Sequence, residues 1–424
     1  MLRTSKTSIL KASVKIVIVA ILSFIAAKVT RQQKAVCGSY RNQFSDNAKY
    51  LFLHWHQSQT MNAIWISGDK LLVKRLTEQG LMAFYRWSAM GIYHALTAKY
   101  YVYNSYIGDV NQYFANGAIK INLWHGSPLK RIEFDINNGP MQHIFHPQTQ
   151  LEKLIAKGLY HQQLTRADLM LAPSELVATL FSSAFKLPKA SLLKCGNPRT
   201  DYYQRYSGQD IATLHALLNL SAQQIKQTNI ILYAPSWRDS ALATGQNPYT
   251  QAIDFEILNN HLMTNNQIML LRFHPNEAHF STALNQYRHI VDITDWEDIY
   301  GILSVIDVLI SDYSSIYIDA LPNHCDIAFY KFDKDHYQTQ CRRQYPFTEE
   351  LPSIGPTLTH FEELMNYLTM HSYNAPDAPD LARNSTIDLF WEYATNSSFD
   401  CIDHWVAQQQ SKSIYPITPS QQRL

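Results

Sequence analysis

Five short segments of the 424-residue chain carry groups that could hold or move a phosphate. In Leu123-Trp-His-Gly-Ser-Pro-Leu-Lys-Arg131, His125 follows a short apolar run, and Gly126 and Pro128 suit a tight turn. An imidazole, with an ordinary pKa of about 6.5, can take a proton from an attacking hydroxyl at neutral pH. In Cys195-Gly-Asn-Pro-Arg-Thr-Asp201, Arg199 offers a planar fork of donors that fits a phosphate. A surface pair with Asp201 or Asp135 is the alternative for that arginine. Tyr233-Ala-Pro-Ser-Trp-Arg238 adds a hydroxyl, an indole and a guanidinium. In Leu271-Arg-Phe-His-Pro275, Arg272 and His274 are two apart and share one side of an extended segment. Finally, Ser311-Asp-Tyr-Ser-Ser315 ends an apolar strand and opens a helical pattern containing Asp319. Backbone N–H groups, two hydroxyls and the positive end of a helix would converge there on an anion. Ser314 acting only as a helix cap is the plainer reading of that segment alone. Any one of these could be packing; basic groups at three strand ends beside a serine turn read as one anion-binding set.

Elements that could position them recur along the chain. Strands are expected at 50–53, 63–66, 100–103, 119–123, 169–172 and 191–194, with helical patterns over 82–97, 149–160 and 175–185. The alternation restarts with strands at 230–233, 269–272, 290–293, 308–310 and 327–330. Strand–helix alternation predicts parallel sheets covered by helices, hence an α/β fold. The expected organisation is an apolar, basic membrane-associating segment over 1–36, one α/β domain over 37–217 carrying His125, and a second over 218–372. A linker, a helix and a loose tail fill 373–424. In open α/β sheets ligands bind at the carboxyl ends of strands, which is where the five segments fall.

With 46% hydrophobic and 17% charged residues the chain is a well-cored globular protein. Its net charge of +1 and lack of a basic stripe give no footprint for nucleic acid. Five scattered cysteines without a C-x-x-C pair argue against a disulfide framework or zinc site and suit a reducing compartment. Residues 16–27 are uncharged and apolar, flanked by Arg3, Lys6, Lys11 and Lys15 before and Lys28, Arg31 and Lys34 after. That run is short of the roughly 20 residues a spanning helix needs, so a helix lying on the membrane surface is expected. A span or a signal sequence is the alternative. Neither G-x-x-x-x-G-K-[ST] nor G-x-G-x-x-G is present. Asp333-Lys-Asp335 has the spacing metal-dependent sugar transferases use, but reads better as a solvated loop, and no metal or other cofactor is expected.

The segments LWHGSPLK, GNPRTD, YAPSWR, LRFHP and SDYSSIYID, in this order, resemble the motif set of the CDP-glycerol glycerophosphotransferase family, the teichoic-acid primases and polymerases of bacterial envelopes. The resemblance runs from about residue 49 to residue 337. It implies two Rossmann-like domains facing a central cleft (GT-B-like), attached peripherally to the cytoplasmic face of the cell membrane. The implied reaction moves an alditol phosphate from CDP-glycerol or CDP-ribitol to a hydroxyl of a lipid-linked or glycan acceptor and releases CMP. By motif, His125 and His274 are the catalytic candidates. Trp124, Gly126, Ser127, Arg199, Pro235, Ser236, Trp237, Arg238, Arg272, Ser314, Ser315 and Asp319 are the donor-binding ones. Ser127 and Ser236 stand where threonine is usual and keep the hydroxyl; the region from Pro346 matches poorly. A UDP-sugar glycosyltransferase of the same fold and a non-catalytic nucleotide-binding protein of envelope assembly are the other readings.

Overall fold

The computed structural model describes residues 6–139, 141–206, 208–236, 238, 247–280, 284–323, 325–334, 337, 343–370 and 381–414. The chain divides into two compact units: Met1–His125, His143–Asp201 and Trp391–Leu424 form the first, Gly126–Gln142 and Tyr202–Phe390 the second.

The first unit is built on seven parallel strands: β1 (Gln32–Cys37), β2 (Ala63–Ser67), β3 (Ala83–Tyr85), β4 (Ala98–Tyr103), β5 (Ile119–Asn122), β6 (Leu169–Ala172) and β7 (Leu192–Lys194). Their order is β3-β2-β1-β4-β5-β6-β7. Continuous apolar runs make the central strands, because helices cover both faces of a parallel sheet; Tyr100, Tyr101 and Val102 of β4 are fully buried. The second unit has six parallel strands: β8 (Asn229–Tyr233), β9 (Gln267–Leu271), β10 (Ile290–Asp292), β11 (Val308–Ser311), β12 (Asp326–Tyr330) and β13 (Thr357–Leu358). Their order is β10-β9-β8-β11-β12-β13. The chain's direction of winding reverses between β1 and β4 in one sheet and between β8 and β11 in the other. Such switch points leave a crevice at the strands' carboxyl ends.

Several expectations need correction. The run over 50–53 is helix, not strand: it lies in α2 (Asp46–Ser58; α1 is Lys6–Lys28), whose buried Ala48, Leu51, Phe52 and Trp55 recur at helical spacing. β1, β3 and β13 went unforeseen, and β1 is central, pairing with both β2 and β4. Residues 32–36 therefore belong to the sheet and not to a membrane segment. The expected boundaries at 217/218 and 372/373 do not coincide with the units. Helix Gly208–Leu218 packs in the second unit, with Asp210 against Gly301. At the other end, helix Ser398–Ile414 returns to the first, where Asp403 accepts hydrogen bonds from Trp55 Nε1 (2.6 Å) and Thr60 Oγ1 (3.1 Å).

α1 is also longer than expected. Lysines 11 and 15 lie inside the helix, which at 23 residues is long and apolar enough, by length and composition, to cross a membrane. It packs sideways on helix Gln150–Leu159: Ala12 and Ala26 are fully buried, and a Cβ on Gly158 would come within 2.5 Å of the Ala12 carbonyl. Arg31 fastens the helix end, donating to the carbonyls of Ala26, Ala95, Ala98 and Phe114 at 2.9–3.3 Å. Leu10, Val14, Val17, Ile18, Ile21, Phe24 and Ile25 stay exposed.

Candidate active site

In the first unit the site is the loop after β5. Trp124 turns at φ +54 and Gly126 at +150, conformations that redirect the chain sharply and that an L side chain at position 126 would resist. His125 between them is exposed. Its Nδ1 lies 3.1 Å from the carbonyl of Asn104, at the end of β4 beside the switch point. A carbonyl can only accept, so Nδ1 carries the hydrogen and Nε2 the lone pair, the tautomer a proton acceptor needs. Asn104 is itself pinned: its N–H and that of Ser105 donate to Asp109 (3.2 and 2.8 Å), and its side chain bonds Ser39 and the Ser45 carbonyl. Burial pushes the Asp109 carboxyl up to about 7, against the pull of those N–H donors and Arg86.

Arg199 is placed differently from expectation. It lies at the start of helix Pro198–Tyr206, is 0% exposed, and Nη1 pairs with Asp46 at 2.9 Å. Its N–H donates to Asn47 Oδ1 (3.0 Å), and Asn47 Nδ2 donates to the carbonyls of Trp124 (2.9 Å) and Leu123 (3.3 Å). The guanidinium and the N–H of Arg199 thus join the start of this helix to the start of α2. Asp201 of the same motif accepts from the N–H and hydroxyl of Ser398, both at 2.6 Å.

In the second unit three segments meet. The register aligns Tyr233 with Leu271 on one side and Ile310 on the other, so the residues following each strand emerge together. Ser236 N–H donates to both oxygens of Asp312 (2.9 and 3.0 Å). Arg238, expected to face the donor, is 2% exposed and bound by carboxylates: Nη1 pairs with Asp312, while Nε and Nη2 grip Asp333 at 3.0 Å each. Asp333 is therefore no solvated loop residue, and both its oxygens are committed to the arginine; Asp335 lies outside the described residues, as does Trp237. Tyr313 stacks on Tyr337 at 3.7 Å, and Lys130 donates to the Tyr337 hydroxyl. Arg272 and His274 are half-buried, with Phe273 turned into the core between them at 1% exposure. Ser314 and Ser315 are half-buried and Pro235 is buried. Asp319 is 2% exposed and Ser127 5%. The helix after the serines, Ile316–Ala320, has five residues, so hydroxyls and turn N–H groups would matter there more than a macrodipole.

Glu277 is buried beneath Arg238, accepting from its N–H (3.2 Å) and from the Tyr249 hydroxyl (3.1 Å). Burial raises its carboxyl to about 7. The folded form then holds a proton that the unfolded chain, with a carboxyl of about 4.5, releases earlier. This contribution to stability is complete below about pH 4.5 and is lost as pH rises to about 7. Melting curves between pH 4.5 and 7.5 should show Glu277→Gln losing that slope, gaining on the wild type as pH rises. Parallel curves would refute it.

Residues overlooked in the sequence are Asp46, Asn47, Asn104, Asp312 and Glu277. Ser45-Asp46-Asn47 ahead of a helical apolar pattern was a readable helix start; the others' partners are too distant to see.

Comparison with known proteins agrees. The profile of the CDP-glycerol:poly(glycerophosphate) glycerophosphotransferases matches residues 21–402. The chain is 28% identical to a teichoic acid poly(glycerol phosphate) polymerase of Bacillus spizizenii over 76% of this chain and 79% of that one. It is 27% identical to a teichoic acid glycerol-phosphate transferase of Staphylococcus aureus over 77% and 80%. Its fold is similar to the solved wall teichoic acid polymerase TagF, with a TM-score of 0.74 at 21% identity, covering 97% of this chain and 100% of that one. The chain belongs to the CDP-glycerol:poly(glycerophosphate) glycerophosphotransferase family.

Proposed function

We propose that the protein transfers an alditol phosphate, glycerol phosphate in the first instance, from its CDP-activated form to a hydroxyl of a lipid-linked or glycan acceptor in the making of a teichoic-acid-like envelope polymer. The acceptor oxygen, giving its proton to His125 Nε2, bonds to the phosphorus that bears the alditol. The P–O bond to the cytidine monophosphate breaks, and CMP leaves with the electron pair. Such a transfer asks for positioning and charge neutralisation more than covalent help from the protein. The supporting observation is the His125 ring at a switch point, its tautomer set by the Asn104 carbonyl. Arg199 and Arg238 pair with carboxylates, and Arg272, His274 and the hydroxyls of Ser314 and Ser315, which follow β9 and β11, are the groups assigned to the diphosphate, in a GT-B-like arrangement where both units serve one reaction. No metal or other cofactor is part of this reading. The exposed apolar side of α1, with Lys6, Lys11 and Lys28 also exposed, suits peripheral attachment to the cytoplasmic face of an anionic membrane.

The test is CMP release and product mass from CDP-glycerol, CDP-ribitol and UDP-sugars, with lipid-linked acceptor in vesicles, with and without EDTA. Acceptor lengthened by a glycerol phosphate in step with CMP is expected. Consumption of a UDP-sugar instead, or donor bound and never turned over, would overturn it.

A further inference from the structure

We infer that Asn47 is a positioning residue for the transfer: it sets the peptide that aims His125 and touches neither substrate. The inference rests on His125 being the proton acceptor. Asn47 is 0% exposed, and its amide faces inward on three backbone groups. Nδ2 donates to the Trp124 carbonyl at 2.9 Å and the Leu123 carbonyl at 3.3 Å, while Oδ1 accepts from the Arg199 N–H at 3.0 Å. Trp124, the residue so held, is in the left-handed region at φ +54, where a bulky side chain rests only if its surroundings impose it. The next residue in the same turn of α2, Ala48, donates its N–H to Asn104 Oδ1 at 2.8 Å, and Asn104's carbonyl accepts from His125 Nδ1 at 3.1 Å. One helix start therefore fixes both the peptide preceding His125 and the acceptor that decides its tautomer. Asparagine suits the position because its amide offers two donors and an acceptor in one plane. Aspartate has the same shape but turns an oxygen toward two carbonyls.

The experiment uses the full chain, with Asn47→Asp and His125→Ala made singly and together. Asn47→Asp should lower kcat about a hundredfold, the scale of an ångström's misplacement of a reacting group. KM for CDP-glycerol should stay within about threefold, since Asn47 holds backbone groups and the diphosphate is assigned to Arg272, His274, Ser314 and Ser315. In the His125→Ala background the same substitution should change residual transfer by less than about threefold, because it acts through a side chain no longer present. If Asn47→Asp does not melt as a folded protein, Asn47→Ser, which is smaller and uncharged, is measured in its place with the same expectations. Parallel changes in kcat and KM, a hundredfold loss persisting without His125, or unaltered kcat would each overturn the positioning role. Wild-type turnover by His125→Ala alone would sink the proton-acceptor assignment as well. An inactive His125→Ala beside an unaffected Asn47→Asp would sink the positioning role only.

Discussion

His125→Ala should lower CMP release by about a thousandfold while the protein melts as the wild type does. General acid–base groups contribute on the order of 10²- to 10⁴-fold, and among the described residues no second imidazole is placed on the Asn104 carbonyl to substitute. The side chain is exposed, so its loss opens no buried cavity, and a surface substitution ordinarily shifts stability by no more than about 0.5 kcal/mol. His125→Asn sharpens the test. An asparagine amide can still donate to the Asn104 carbonyl but cannot take a proton, so it should be as inactive as alanine. Activity recovered with asparagine would mean that the ring serves to hold the loop. Melting temperature and steady-state CMP release on purified variants decide between the two outcomes.

How far the sequence led differs between fold and site. Parallel α/β architecture was readable because buried central strands must be continuous apolar runs, and β2, β4, β5, β6 and β8 to β12 fall close to where those runs lie. α2 was misread because Tyr50-Leu-Phe-Leu53 is apolar at every position. Periodicity over so short a run cannot separate strand from helix; the Ser-Asp-Asn start and Trp55 one turn on would have done so. The carboxylate partners of the arginines were hidden for another reason. A guanidinium near a strand end looks the same in sequence whether it meets a ligand or a carboxylate. Asp46 stands 153 residues from Arg199, and Asp312 and Asp333 stand 74 and 95 from Arg238. The acid partners that brace Arg199 and Arg238 were out of sequence reach.

Arg238→Met should be the most destabilising single change in the second unit. Arg238 is 2% exposed, wrapped by Tyr249, Tyr313, Phe332 and Tyr337, and holds two carboxylates from distant segments. Methionine fills much of the space but leaves the enclosed Asp312 without the guanidinium it pairs with. Breaking a buried pair from one side costs about 3–5 kcal/mol, because the remaining charge is desolvated and uncompensated. For a unit of this size that is a fall in melting temperature on the order of 10 °C. Removing the stranded charges as well, with Asp312→Asn and Asp333→Asn added to Arg238→Met, should recover most of the loss, since replacing all partners in a buried pair is far cheaper than orphaning one. Catalysis should not return with the stability. Asp312 also holds the Ser236 N–H and begins the turn into Ser314 and Ser315, so the donor-side groups stay displaced. A ligand-contact role would give the opposite pattern, an unchanged melting temperature with a raised KM for CDP-glycerol, and calorimetry beside kinetics on the single and triple variants tells them apart.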